Sequence, residues 1–173
     1  MDNFGFIHGE LDIKILILFI LRRLPAPVEP QTLLELCACD TGIGYFDYSE
    51  CLAHLVETGH VDETAEGKYL ITDKGVRNGE TAESSLPYSV RAKAEGLTAP
   101  VAEAMRRNSM ILTSHEPLPD GCTVSLSLSD GKGEILSMHI LAVDSAQAET
   151  IEKVFRRNAE SIYGKVIEIL SEQ

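Results

Sequence analysis

Cys37, Cys39, Cys51 and His54 are the residues of this chain whose types and spacing could hold an ion. A C-x-C pair and a C-x-x-H pair supply thiolate and imidazole, the ligands zinc prefers. However, Cys37 and Cys51 each fall on an apolar stripe of helical period, where a cysteine packs as a small hydrophobe. They read as reduced core thiols, and no metal or cofactor is expected. With Cys122 the chain has four cysteines, too few and too unevenly placed for the disulfide framework of a secreted scaffold. His8, His60, His115 and His139 stand alone, and no Ser/His/Asp or Cys/His spacing repeats a nucleophile motif. No catalytic residue is therefore expected, and the chain reads as a non-enzyme. The glycines from Asp130 to Gly133 lead into a strand and not a helix N-terminus, so they form a turn and no phosphate cradle. The basic pairs Arg106, Arg107 and Arg156, Arg157 read as solvated helix faces.

The elements that position these residues begin with a helix from Asp12 to Leu24, stopped by Pro25. Its Ile13, Leu16, Ile17, Ile20 and Leu24 keep helical spacing, while Ile15, Leu18, Phe19 and Leu21 cover much of the remaining circumference. A helix apolar nearly all round must be buried on two sides, one in its own domain and the other against a second domain or subunit. A second helix opens at Pro30, a residue suited to the first helical position. The run Asp40 to Gly44 is turn chemistry. A third helix is expected from Asp47, with Glu50 completing a capping box. Tyr48, Cys51, Leu52, Leu55 and Val56 make its buried stripe, and Gly59 caps its end. Val61 to Thr64 and Tyr69 to Thr72 then flank a polar tip, which is a hairpin signal. Three helices followed by a hairpin is the order of a winged helix-turn-helix. Thr72 can cap a fourth helix, in which Gly75 and Gly79 would each cost about 1 kcal/mol relative to Ala.

A fifth helix from Ser89 to Asn108, with Val90, Ala94, Leu97, Val101 and Met105 on one stripe and Pro100 inside it, reads as a connector. From Ser109 the period becomes alternating. Strands are expected over Met110 to Glu116, Cys122 to Ser129 and Glu134 to Val143, and an antiparallel sheet follows from their short turns. A long helix from Ser145 to Leu170, opened by Asp144 and Gln147, would measure about 39 Å and outreach a three-stranded sheet. The fold class is therefore α+β, with a winged helix-turn-helix over residues 1–86, a connector over 87–108 and a small sheet-plus-helix domain over 109–173.

The run Tyr69, Leu70, Ile71, Thr72, Asp73, Lys74, Gly75 resembles the second wing strand and following helix of PadR-type and MarR-type winged-helix repressors. The whole chain resembles the bacterial domain-of-unknown-function family 4364. Leu16 to Leu21, Leu52 to Gly59, and Ser89, Val90, Arg91 carry that likeness, with Gln147, Ala148, Ile151, Asn158, Ile162, Tyr163 and Leu170 in the last helix. A Trp that the family pattern places near Phe155 is missing, since the chain has none. The resemblance implies a DNA-binding regulator and brings no ligand or catalytic residue.

In a helix-turn-helix the recognition helix enters the major groove, and Lys and Arg contacts to phosphates supply much of the affinity. The residues in position to meet double-stranded DNA are Thr32, Tyr45, Ser49, His54, Lys68, Lys74 and Arg77, with Arg22 and Arg23 nearby. Charge opposes this use. The chain carries a net charge of -12, and residues 1–80 hold six Lys or Arg against fourteen Asp or Glu. No Lys or Arg occurs from Ile43 to Gly67. A homodimer would concentrate the few cations, and the over-apolar first helix and long last helix favour one. The alternative is an adaptor whose acidic winged helix binds a basic protein. The apolar run Ile15 to Leu21 is too short to span a bilayer and lacks the flanks of a signal peptide, so a cytoplasmic protein with no membrane partner is expected.

Overall fold

The computed structural model describes residues 7, 9–40 and 42–171. His8 and Thr41, which enter the sequence reading, lie outside them. The chain divides into two compact units, the first ending at Met105 and the second beginning at Arg106.

The first unit is built around α1 (Glu10–Leu21), whose Ile13 and every residue from Ile15 to Leu21 are buried. α2 (Pro30–Cys37) and α3 (Tyr45–Glu57) pack on it, as does α4 (Asp73–Ala82). The partner for the second apolar side of α1 is thus found inside its own unit, where the sequence reading placed another domain or subunit. Gly79 of α4 makes this possible, because a Cβ there would press on the Leu18 and Arg22 side chains. α1 ends before Arg22 and Arg23, which leave the helix to pair with carboxylates. Arg22 reaches Glu83 at 2.5 Å and Glu80 at 3.2 Å, and Arg23 reaches Glu83 at 3.1 Å. Arg23 also stacks 3.5 Å over the Phe19 ring.

α3 starts at Tyr45, two residues before the expected capping box, and its N-cap Gly44 offers no side-chain bond. Asp47 therefore sits in the first turn, where its charge favours the helix dipole. The end of α3 is a Schellman motif. His60 N–H donates to the Leu55 carbonyl and Gly59 N–H to that of Val56, with Gly59 at φ 69°. The hairpin follows as β1 (Val61–Glu63) antiparallel to β2 (Tyr69–Ile71). β2 is extended on its other edge by Val28, which exchanges two 2.9 Å hydrogen bonds with Tyr69.

Thr72 caps α4 by accepting from the Gly75 N–H at 3.1 Å. Gly75 itself is buried beneath the α3–β1 junction, and a Cβ on it would collide with the His60 carbonyl. The glycine that weakens the isolated helix is the one that lets it dock. After a 3-10 turn at Glu83–Ser85 comes α5 (Tyr88–Met110), with Pro100 inside it. Its buried residues are Val90, Ala94, Thr98 and Ala102. Leu97, expected on the buried stripe, is instead largely exposed, because the contact side keeps a strict four-residue step and takes the Thr98 hydroxyl back to the Ala94 carbonyl. Val90, Ala94 and Ala102 belong to the same core as α1.

The second unit is a three-stranded antiparallel sheet in the order β3 (Ile111–Leu118), β4 (Gly121–Ser129), β5 (Glu134–Ala142), with α6 (Ser145–Ser171) against it. Alternation on β4 is complete: Cys122, Val124, Leu126 and Leu128 are buried. They face Ala148, Phe155 and Ala159 of α6 in a second core. Asp144 caps α6 through the Gln147 N–H at 2.8 Å, and the Gln147 side chain reaches back to the Val143 N–H at 2.7 Å.

Two stability effects follow. Gly75→Ala, which would stabilise a free helix, should destabilise this protein by about 2 kcal/mol or more because a backbone carbonyl must move, read as a lowered urea midpoint with an unchanged slope. Burial pushes the Glu83 carboxyl up, but the hydrogen bonds and charges of Arg23 and Arg22 outweigh it and hold it below its ordinary value of 4.5. Its contribution is therefore present above about pH 4.5 and is lost as pH falls through the lowered folded value. Glu83→Gln should cost about 1 to 3 kcal/mol at neutral pH, and the difference from wild type should close on acidification in urea titrations.

Candidate nucleic-acid interface

α3 is clamped from behind, and that leaves one side of it free. Tyr48, Cys51, Leu52 and Leu55 bury against the core of the first unit. Tyr45, Phe46, Asp47, Glu50, Ala53, His54 and Glu57 are exposed. Tyr45 and Phe46, 63% and 85% exposed, stand at the helix N-terminus with their rings edge to face at 5.8 Å. Three carboxylates and no ammonium or guanidinium occupy the rest of this side.

The seven candidate residues are spread around that helix. Thr32 lies on α2 and is half-buried. Tyr45 and His54 are open on α3, and Ser49, half-buried, donates its hydroxyl to the Tyr45 carbonyl at 2.9 Å. Lys68, in the turn of the hairpin just before β2, pairs with Glu29 at 2.9 Å. Lys74 donates to the Thr58 carbonyl at 2.6 Å and so serves as a C-terminal cap of α3. Arg77 is exposed on α4 with no ion pair among the described residues. Arg22 and Arg23, the nearby reserves of charge, are taken up by Glu80 and Glu83.

The junction behind α3 is organised by His60, which sequence reasoning left as an isolated histidine. Its Nδ1 lies 2.9 Å from the Thr58 hydroxyl and its Nε2 2.7 Å from the Asn78 amide. Thr72 adds bonds from its hydroxyl to the Gly59 and His60 carbonyls, at 2.8 and 3.1 Å. Burial, with Lys74 and His54 nearby, lowers the His60 pKa, so the ring is held neutral while it ties α3 to α4. Only tertiary contact between Thr58, His60 and Asn78 reveals this.

A family described as Domain of unknown function (DUF4364) matches residues 13–170, across both compact units. The chain belongs to this family. No curated protein and no solved structure matches it. Among the described residues no group of three or more His, Cys, Asp or Glu is placed to hold a metal, and no helix is long and apolar enough to cross a membrane. Cys37 and Cys51 are in the core, where burial pushes both thiols up, the first strongly.

That burial fixes thiol chemistry. In the native protein a thiol reagent such as Ellman's should react with Cys39 alone, and slowly, because burial and Asp40 raise its pKa as well. All four cysteines should react in guanidinium. Fast native labelling of Cys37 or Cys51 would contradict the packing described.

Proposed function

We propose that the first unit is a winged helix-turn-helix, resembling the PadR and MarR repressors, and that the chain is a transcriptional regulator binding double-stranded DNA as a homodimer. α3 is then the recognition helix, the β1–β2 hairpin is the wing, and the second unit dimerises or senses an effector. The observation that carries this reading is the free side of α3, presented beside a hairpin with its N-terminal turn uppermost in exposure. That turn of a recognition helix meets base edges, and an aromatic ring such as Phe46 suits a thymine methyl.

The dimer has support in the second unit. Leu141, Val143, Ile169 and Leu170 are exposed there, and a groove of about 370 Å³ opens between β5 and α6, lined by Met138, Ile140, Val154 and Ile162 among others. Large apolar side chains left open in this way, on both faces of the sheet and along the groove, are surface that an interface would cover. A symmetric pair would bring two Arg77, two Lys74 and two Lys68 to one duplex.

A second reading is favoured by charge. Asp47, Glu50 and Glu57 repel phosphate, and Lys68 and Lys74 already have partners in the fold. An acidic face with Tyr45 and Phe46 at its edge suits a basic protein segment. Fluorescence anisotropy with labelled random-sequence duplex at two salt concentrations, beside the mass in solution, separates the two. DNA binding by the dimer should weaken with salt at a logarithmic slope no steeper than about -5 and should be reduced by Arg77→Ala. A monomeric mass, or no binding even at low salt, would overturn the DNA reading and leave the basic-partner reading.

A further inference from the structure

A strand at the edge of a sheet shows a row of backbone N–H and C=O groups with nothing to bond, and proteins guard such rows with charge, proline or irregularity. The sheet of the second unit has two edges, β3 and β5, and they are guarded unequally. β3 carries Glu116 and Pro117, whose ring leaves no N–H to offer, and the Arg156 guanidinium lies on its Ile111 carbonyl at 3.1 Å. β5 has no such guard along most of its length. From Ile135 to Val143 there is no Asp, Glu, Lys, Arg, Pro or Gly. Its one irregularity is a bulge at the hairpin end, where Leu136 and Glu134 oppose consecutive residues of β4. Beyond it the seven residues from Leu136 to Ala142 pair regularly with β4, and their other edge has no backbone hydrogen bond among the described residues.

The surface beside this edge is apolar. Met138 and Ile140 form the β5 wall of the groove whose other wall is Ile151, Val154 and Ile162 of α6, and Ile140 and Val154 remain 39% and 49% exposed. On the opposite face of the sheet Leu141 is 75% exposed. A strand laid along β5 would gain backbone bonds and cover these side chains in one step.

Charge selects that strand. The net charge is -12, so two copies of the chain repel over much of their surface and meet closely only where charge is absent. A charged partner segment would find no counter-charge between Ile135 and Val143, whereas a second β5 meets that strip without a like-charge pair. Symmetry then sets the register. Antiparallel pairing of the regular stretch with itself, about a two-fold axis at its centre, puts His139 against its own copy. Met138 falls opposite Ile140 and Leu136 opposite Ala142 on the side that faces α6, with Ser137 opposite Leu141 on the other. We propose that β5 pairs in this way with β5 of a second copy, joining two three-stranded sheets into one of six strands with both α6 helices on the same side. This pairing rests on the homodimer proposed for the chain and names the strand that makes it.

The test uses the full chain in analytical ultracentrifugation and in disulfide trapping. His139→Cys, at an exposed position, should give a disulfide-linked dimer under mild oxidation, because directly opposed residues of an antiparallel pair lie about 4.5 to 5.5 Å apart at Cα. Ser114→Cys, exposed on β3, should not, and neither should the wild type with its own cysteines. Leu141→Lys should raise the dimer Kd at least about tenfold, since a lysine guards an edge and the two-fold axis places it in the interface twice. Leu112→Lys, on β3, should leave the Kd unchanged. Both leucines are exposed in the single chain, so neither change should alter its circular dichroism. A dimeric wild type in which Cys at 139 crosslinks no better than Cys at 114, or in which Leu141→Lys weakens the dimer no more than Leu112→Lys, would overturn the β5 pairing and leave the dimer to another surface. A mass that grows past two copies with concentration would mean β5 pairing on β3 in an open chain of sheets, and would overturn it too. A monomeric wild type would overturn the dimer itself.

Discussion

A helix with no polar side has to be enclosed, and the first unit is the solution to that requirement. α1 brings Ile13 and the whole run from Ile15 to Leu21 into the core, and each such side chain contributes about 1.5 to 3 kcal/mol when removed from water. No single neighbour can cover the circumference. α2 and α3 take one part, α4 another, and the start of α5 enters the same core through Val90 and Ala94. Close approach of α4 is what Gly79 permits. Where apolar character ends, at Arg22 and Arg23, the guanidinium groups turn to Glu83, so the last exposed edge of α1 is tied to the 3-10 turn following α4.

Enclosing α1 decides what α3 can offer. Because Tyr48, Cys51, Leu52 and Leu55 are spent on the core, the opposite side of α3 is held at a fixed angle, and the His60 junction with Thr72 and Lys74 locks its C-terminal end. The cost falls on charge. The ammonium of Lys74 completes the carbonyl end of α3 and that of Lys68 neutralises Glu29, so cations near the candidate interface are employed in building it. Among the described residues the exposed carboxylates Glu57 and Glu63 make no ion pair.

Element order was largely legible from the chain, since periodicity alone marks the third helix, the alternating strand from Cys122 and the last helix. What escaped was whatever depends on convergence. The start of α3 was placed at Asp47 because a capping box reads locally, yet the chain turns into helix at Tyr45 without a side-chain cap. Gly75 and Gly79 looked like defects, for a helical pattern cannot show that another backbone or side chain lies against them. The second cover of α1 was sought outside the domain, because amphipathic reasoning counts apolar sides and not the helices available to meet them. The groove framed by α2, α3 and the β1–β2 hairpin is the extreme case. Pro30, Tyr48 and Glu63 are far apart in sequence, and only the docking of the hairpin on α2 and α3 makes them neighbours.

In the second unit, polar bonds determine where apolar surface is left over. Glu152 accepts from the Thr113 hydroxyl at 3.0 Å and lies 2.7 Å from His115, while Arg156 donates to Thr113 and to the Ile111 carbonyl. These contacts pin one stretch of α6 to β3, and a helix so pinned cannot slide to hide its far end. Cover from Phe155 and Ala159 falls on β3 and β4, and the inward side of β5 receives less. Ile169 and Leu170 continue α6 with their side chains in solvent, and Met138 and Ile140 stay partly open on β5. With α6 fixed on β3 by these four hydrogen-bonding contacts, the position of the helix, more than apolar composition, decides which apolar side chains of the unit are left exposed.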